Sequence, residues 1–173
     1  GGGNGLGVYQ GLVDAFFTKN GLPITDPESN YREEGFSTGI DKRNTNWEHG
    51  TGVAGEVTDK GTYNMYCNRE PRFYNAVTFN GAWLTYLNSK ADFFYNHSDN
   101  IRSSSPHDAP QNGYLARKGL RMTDNIKVQW TGRQAFIYRL AFTYLDYAEA
   151  ENEAHDTKEA RLQAIKYVNM IRE

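Results

Sequence analysis

At 173 residues the chain is long enough to bury a core of its own. A net charge of −2 and a pI near 6.1, with no basic stripe and no RNP-type aromatic motif, set nucleic acid aside as a partner. Only 38% of the residues are apolar while Gly numbers 17 and Tyr 12, a mix that points to a loop-rich protein with much amphipathic aromatic surface.

Residues 1–7 read as a glycine loop. Neither GxGxxG nor a Gly-Lys-Ser/Thr step is present, so the spacing does not suit phosphate binding. Gln10 to Phe17 is a short apolar element, closed by the turn Lys19-Asn20-Gly21-Leu22-Pro23, and Asp26 to Asn30 is a second loop. Residues 31–68 are polar, glycine-rich and without period, a long excursion of the kind that serves function or stays mobile. Phe73 to Phe79 alternates as a strand does, with Phe73, Val77 and Phe79 on one side. Asn80-Gly81 then supplies a favoured hairpin turn before Ala82-Trp83-Leu84. Tyr86 to Tyr95 is aromatic without a clear period, and residues 96–112 form a surface loop.

The strongest periodic signal lies in 133–153, where Ile137, Leu140, Ala141, Tyr144, Leu145 and Ala148 form a core-facing helical stripe. Asp146, Glu149 and Glu153 take the opposite, solvated side. After His155-Asp156-Thr157 a second stripe follows in Ala160, Ala164, Tyr167, Val168 and Ile171. Asp156 is placed to cap this helix, with Glu159 completing a capping box. The pair reads as an antiparallel hairpin of the sort that stacks in helical repeats. Tyr138, Tyr144 and Tyr147 are assigned to packing within it.

Few residues suggest chemistry. Cys67 is the single cysteine, so neither an internal disulfide nor a CxxC metal site is available. His49, His97, His107 and His155 share no helical ligand spacing and no HExxH, so no metal is expected. Glu33, Glu34, Glu48, Glu56 and Asp92 are raw material for a hydrolase, but nothing singles out a pair held in opposite protonation states. No Gly-x-Ser-x-Gly elbow occurs. An enzyme is not expected, and no cofactor.

Binding is better supplied. A sugar ring offers flat C–H faces ringed by hydroxyls, so its site wants exposed aromatic platforms beside Asn, Asp, Gln or Arg. Trp47 lies in a glycine-rich stretch beside Asn46 and Glu48. Tyr86 and Asn88 follow Trp83, and Phe93, Phe94, Tyr95 and Asn96 crowd the edge of the 96–112 loop. The ligand-binding candidates are Trp47, Asn46, Tyr86, Tyr95 and Asn96. Trp83 and Trp130 are assigned to packing instead, and Arg69, Arg72 and Arg133 to bidentate carboxylate pairs that tie loops to the helical body.

Within the hairpin stand Arg139-Leu140-Ala141, Tyr144-Leu145-Asp146-Tyr147-Ala148-Glu149-Ala150-Glu151-Asn152-Glu153 and Val168-Asn169-Met170-Ile171-Arg172. This wording resembles the SusD/RagB family, lipid-anchored nutrient-binding proteins of the Bacteroidetes outer membrane. Leu12-Val13-Asp14-Ala15-Phe16 with Asn20-Gly21-Leu22-Pro23-Ile24, and Arg69-Glu70-Pro71-Arg72-Phe73-Tyr74 running into Val77-Thr78-Phe79-Asn80-Gly81-Ala82-Trp83, agree in order. Gly113-Tyr114 to Arg117-Lys118 resembles the family's step back into the body. Stretches 32–68 and 84–112 carry no such wording.

The resemblance implies a mainly α fold with extensive loops and a few short β-strands, on a tetratricopeptide-like helical repeat. Its organisation is expected to be a loop-rich part over 1–132 and a terminal helical hairpin over 133–173, together a fragment of one domain that is incomplete at both ends. Signal, lipid anchor and most repeats are expected upstream of residue 1. The implied function is non-catalytic capture of oligosaccharides or polysaccharides at the cell surface. Delivery would be to a SusC-like TonB-dependent transporter in the outer membrane. A peptide-binding homologue is the alternative, and a helical-repeat protein–protein adaptor or a secreted glycosidase the more distant ones.

Overall fold

A computed structural model describes residues 7–44, 51–84, 87–100, 110–117 and 137–172. The chain divides into two compact units, Gly1–Thr131 and Gly132–Glu173. Helix outweighs strand, and the strands are short, so the fold is mainly α with short β elements.

The first unit is built around aromatic packing rather than around long elements. Helix α1 (Gln10–Ala15) buries Val13 completely. A 3-10 turn at Pro27–Ser29 is capped by Asp26, whose side chain accepts from the Glu28 amide. Strand β1 (Asp41–Lys42) pairs antiparallel with β2 (Glu56–Thr58). A 3-10 turn at Asn64–Tyr66 then brings Met65 and Tyr66 into the core. Residues 31–68 are therefore not a free excursion in their described parts: Val57, Met65, Tyr66 and the Cys67 thiol are all buried.

Helix α2 (Pro71–Ala76) occupies most of the stretch that alternation marks as a strand. Pro71 opens it, its fixed φ being suited to the first helical position and its missing N–H no loss there. The alternation misleads because Phe73 and Val77 are also four residues apart, a spacing that one helical turn satisfies equally. Only Val77–Thr78 remains extended, as β3, and it pairs with β6 (Leu115–Ala116). Asn80-Gly81 does form a turn, with Gly81 at φ 88° and the Ala82 amide 3.0 Å from the Phe79 carbonyl. It joins no hairpin: β4 (Trp83–Leu84) pairs onward with β5 (Ser89–Lys90), not back with β3.

The rings of Phe73 and Phe79 stack at 5.7 Å, and those of Tyr66 and Phe79 at 4.7 Å. Phe16 and Tyr114 meet this group edge-on. Edge and offset contacts of this kind add to the burial of large apolar area, which is how short elements hold a core.

Arg69 lies at the centre, with no exposed surface. It makes no carboxylate pair, contrary to the sequence reading. Its Nη1 donates to the Met65 carbonyl at 3.1 Å, and its Nη2 to the carbonyls of Val13 and of Phe16, the latter at 2.8 Å. Those two carbonyls end α1, where a helix has no backbone donors left for them. The guanidinium face sits over the rings of Phe73 at 4.9 Å and Tyr31 at 5.4 Å. Burial lowers its pKa from the ordinary value, with Tyr31 and Tyr74 opposing. Around it, Arg43 donates to the Arg69 carbonyl at 2.7 Å and pairs bidentately with Asp41, which also accepts from the Asn68 amide at 2.8 Å. Arg72 pairs with Glu70 at 2.7 Å on the surface. Arg133 lies outside the described residues.

In the second unit, α3 (Leu140–Ala154) and α4 (Lys158–Arg172) pack together as the expected hairpin. Tyr167 of α4 meets Tyr144 at 5.5 Å and Tyr147 at 4.6 Å. Ala148, Ala160 and Ala164 are buried, small residues that let two backbones approach. The helix starts later than its period suggests: Ile137 precedes it and is 99% exposed. Leu140 and Leu145 are exposed as well, because two helices alone bury one face each and the alanine–tyrosine face takes it. The cap of α4 is Thr157, whose hydroxyl accepts from the Ala160 amide at 3.1 Å. Asp156 pairs with Arg161 instead. Among the described residues no helix is long and apolar enough to cross a membrane.

Candidate functional site

Residues 91–100 form a turn closed by side chains. The Asp92 amide donates to Asp99 Oδ2 at 2.8 Å, and the Asp99 amide returns to the Asp92 carbonyl at 3.2 Å. Asp92 Oδ1 accepts from the Phe94 amide at 3.4 Å, and Oδ2 meets His97 Nδ1 at 2.9 Å. The amides of Asn96 and Asn100 donate to the carbonyls of Asn100 and His97, both at 3.0 Å. Asn96 takes the left-handed conformation at φ 61°, which Asn tolerates better than most residues. The turn is bound to the body at its base: the Gly81 amide donates to the Ala91 carbonyl, and the Ala91 amide to that of Ala82, each at 2.8 Å.

The turn sorts three consecutive aromatic residues. Phe93 goes inward with Ala91. Phe94 and Tyr95 go outward, 59% and 71% exposed. The His97 ring stands edge-on to Phe94 at 5.5 Å. Two exposed rings therefore share a short, internally bonded turn with Asn96, His97 and Asp92. Such an arrangement can stack an apolar face and hydrogen-bond the hydroxyls at its rim.

Of the sequence candidates, Tyr95 and Asn96 come together in this turn. Asn46, Trp47 and Tyr86 lie outside the described residues, as do Glu48, His49, His107 and Trp130. Trp83 is half-buried, its indole against Gly52, where a Cβ would stand 2.8 Å from the ring. Glu56 is buried, accepting from Thr51 and meeting Lys42 at 3.4 Å. His155 is exposed just after α3. Burial raises the Cys67 thiol, which points to the Tyr63 carbonyl at 3.6 Å and is an inert core group. Tyr138 donates to Asp146. Among the described residues no group of His, Cys, Asp and Glu side chains could hold a metal ion.

Sequence reasoning missed Asp92, His97, Asn80 and Asn100 as parts of this turn. A signal was present, since Asp two residues before an amide is the pattern of an Asx turn, here Asp92 and Phe94. The longer links from Asn80 and Asn100 have no local signature.

No curated protein matches the chain. The SusD family model matches it over residues 1–173, its whole length. That family is one of nutrient-binding proteins, generally non-catalytic. A match of this extent, over the helical hairpin and the loop-rich unit alike, makes the chain a member of the SusD family.

Proposed function

We propose that this protein captures oligosaccharides or polysaccharides at the cell surface without cleaving them, and passes them to a TonB-dependent outer-membrane transporter. A lipid anchor would hold it to the outer membrane. The observation that carries the reading is the exposed Phe94–Tyr95 pair on a turn fixed by its own side chains. Exposed rings with polar groups at their edge suit a hydroxylated ligand better than a wholly apolar one.

The test is affinity electrophoresis of the full chain in gels cast with laminarin, xylan, galactomannan, pullulan or dextran. Retardation by at least one polysaccharide without release of reducing ends is expected. Replacing Phe94 and Tyr95 together by Ala should weaken retention roughly five- to tenfold, with the thermal midpoint unchanged. Retention unaffected by that double substitution would move the site elsewhere. No retardation in any gel would favour a peptide ligand.

A further inference from the structure

Phe93 is held at both of its backbone groups by side chains from different parts of the chain. Its amide donates to Asn80 Oδ1 at 2.7 Å, and its carbonyl accepts from Asn100 Nδ2 at 2.7 Å. Asn100 is buried and Asn80 half-buried. Asn80 stands in the tight turn that Gly81 permits, and that turn is itself bonded to Ala91. Both bonds are short for their type; the Asn100 bond is buried and the Asn80 bond partly so, and an unmade hydrogen bond is expensive where water is excluded.

We infer that Asn80 and Asn100 are positioning residues for the Phe94–Tyr95 platform, an inference that rests on the reading of that pair as the ligand surface. Neither amide needs to touch a ligand. Clamping the Phe93 peptide groups fixes the direction in which the next two side chains leave the backbone. Without the clamp the turn exchanges among conformers, and only a fraction presents both rings together. Apparent affinity then falls by that fraction.

The two amides have opposite duties, and backbone chemistry settles which is which. A peptide N–H can only donate, so Asn80 must offer its oxygen. A peptide carbonyl can only accept, so Asn100 must offer its nitrogen. Asn80→Asp therefore keeps the bond and Asn80→Ala removes it, whereas Asn100→Asp and Asn100→Ala both remove theirs.

The experiment has two arms on the full chain. Without polysaccharide, hydrogen exchange is followed at the amides of 92–100. Asn80→Ala should accelerate exchange there and leave the α3–α4 amides as they were, and Asn80→Asp should match the parent. With whichever of the five polysaccharides retards the parent, Asn80→Ala should weaken retention about fivefold and Asn80→Asp by less than about twofold. In the Phe94→Ala, Tyr95→Ala background, measured at a polysaccharide concentration where that variant is still retarded, Asn80→Ala should weaken retention no further, which a merely structural role would not produce. Unchanged exchange in Asn80→Ala, or full retention by it where the aromatic double variant has lost retention, overturns the inference. Accelerated exchange with no polysaccharide binding by the parent supports the positioning and overturns the glycan reading alone.

Discussion

Replacing Arg69 by Ala should be among the most damaging single changes in this chain. The guanidinium satisfies three carbonyls, those of Val13, Phe16 and Met65, and none of its surface is exposed. Truncation leaves each acceptor without its donor, at about 1–3 kcal/mol apiece where water cannot enter. It also removes stacking on Phe73 and Tyr31 and opens a cavity between them. Against this stands relief from holding a charge in the interior, whose Nε has no partner. The balance is a loss of roughly 3–5 kcal/mol, a large part of the ~5–15 kcal/mol that holds a typical domain. Arg69→Met separates the two effects. Were the buried charge chiefly a burden, a methionine of similar length would restore stability. The carbonyls belong to the backbone and cannot be removed with it, so Met, although it fills much of the cavity that Ala leaves, should stay at least about 2 kcal/mol less stable than the parent. Lysine should lose about 2 kcal/mol, since one ammonium keeps the charge but not the planar fork. Urea denaturation followed by far-UV circular dichroism gives all three values. A loss below about 1 kcal/mol for Ala, or a Met variant as stable as the parent, would refute the account.

Three further outcomes follow from the packing. Burial holds the phenols of Tyr66 and Tyr74 well above their ordinary value near 10, so the folded state keeps protons that the unfolded chain gives up. Their contribution is complete below pH ~10 and is lost as pH rises beyond it, at about 1.4 kcal/mol per pH unit for each. A denaturation midpoint that stays level from pH ~9 to ~11.5 would contradict this. Gly52→Ala places a methyl against the Trp83 indole at a residue with φ +83°, and should lower stability by about 1–3 kcal/mol with a red shift in tryptophan emission. Thr157→Ala should lose about 1 kcal/mol by uncapping α4, while Asp156→Ala should change stability by less than about 0.5 kcal/mol, as urea titration of both variants will check.

The helical hairpin was legible because long amphipathic elements repeat their signal, and Ala148, Ala160, Ala164 and Tyr167 sit where the period puts them. Its edges were less so. Asp156 and Thr157 are adjacent and both competent caps, and pattern alone cannot choose between them. The stretch Arg69 to Phe79 was visible as family wording, but its physical meaning was not. A six-residue helix and a short strand share the same apolar spacing, so Phe73 and Val77 fit either. Sequence also says nothing about an arginine's partners when these are carbonyls 53 and 56 residues away. The default of a carboxylate pair fails at Arg69 because the ends of α1 need donors, and at Arg72 the carboxylate found is a local one, that of Glu70 two residues away, which ties no loop to the helical body.

The aromatic turn shows why a ligand surface is harder to read than a fold. Phe93, Phe94 and Tyr95 are chemically near-equal, and no local rule says that the first faces inward and the other two outward. What decides it is the pair of amides at Asn80 and Asn100, together with the Asp92–Asp99 link, and all of these bond to backbone rather than to the rings. Bonds to backbone do not depend on which side chain the residue carries. Positions 94 and 95 can therefore change identity without disturbing the knot beneath them, so the ligand preference of this surface is free to vary while its geometry is kept. Residues that hold the turn and residues that face the ligand then answer to different constraints, and exchanging Tyr95 for Trp should alter which polysaccharide is retained before it alters how firmly the protein is folded.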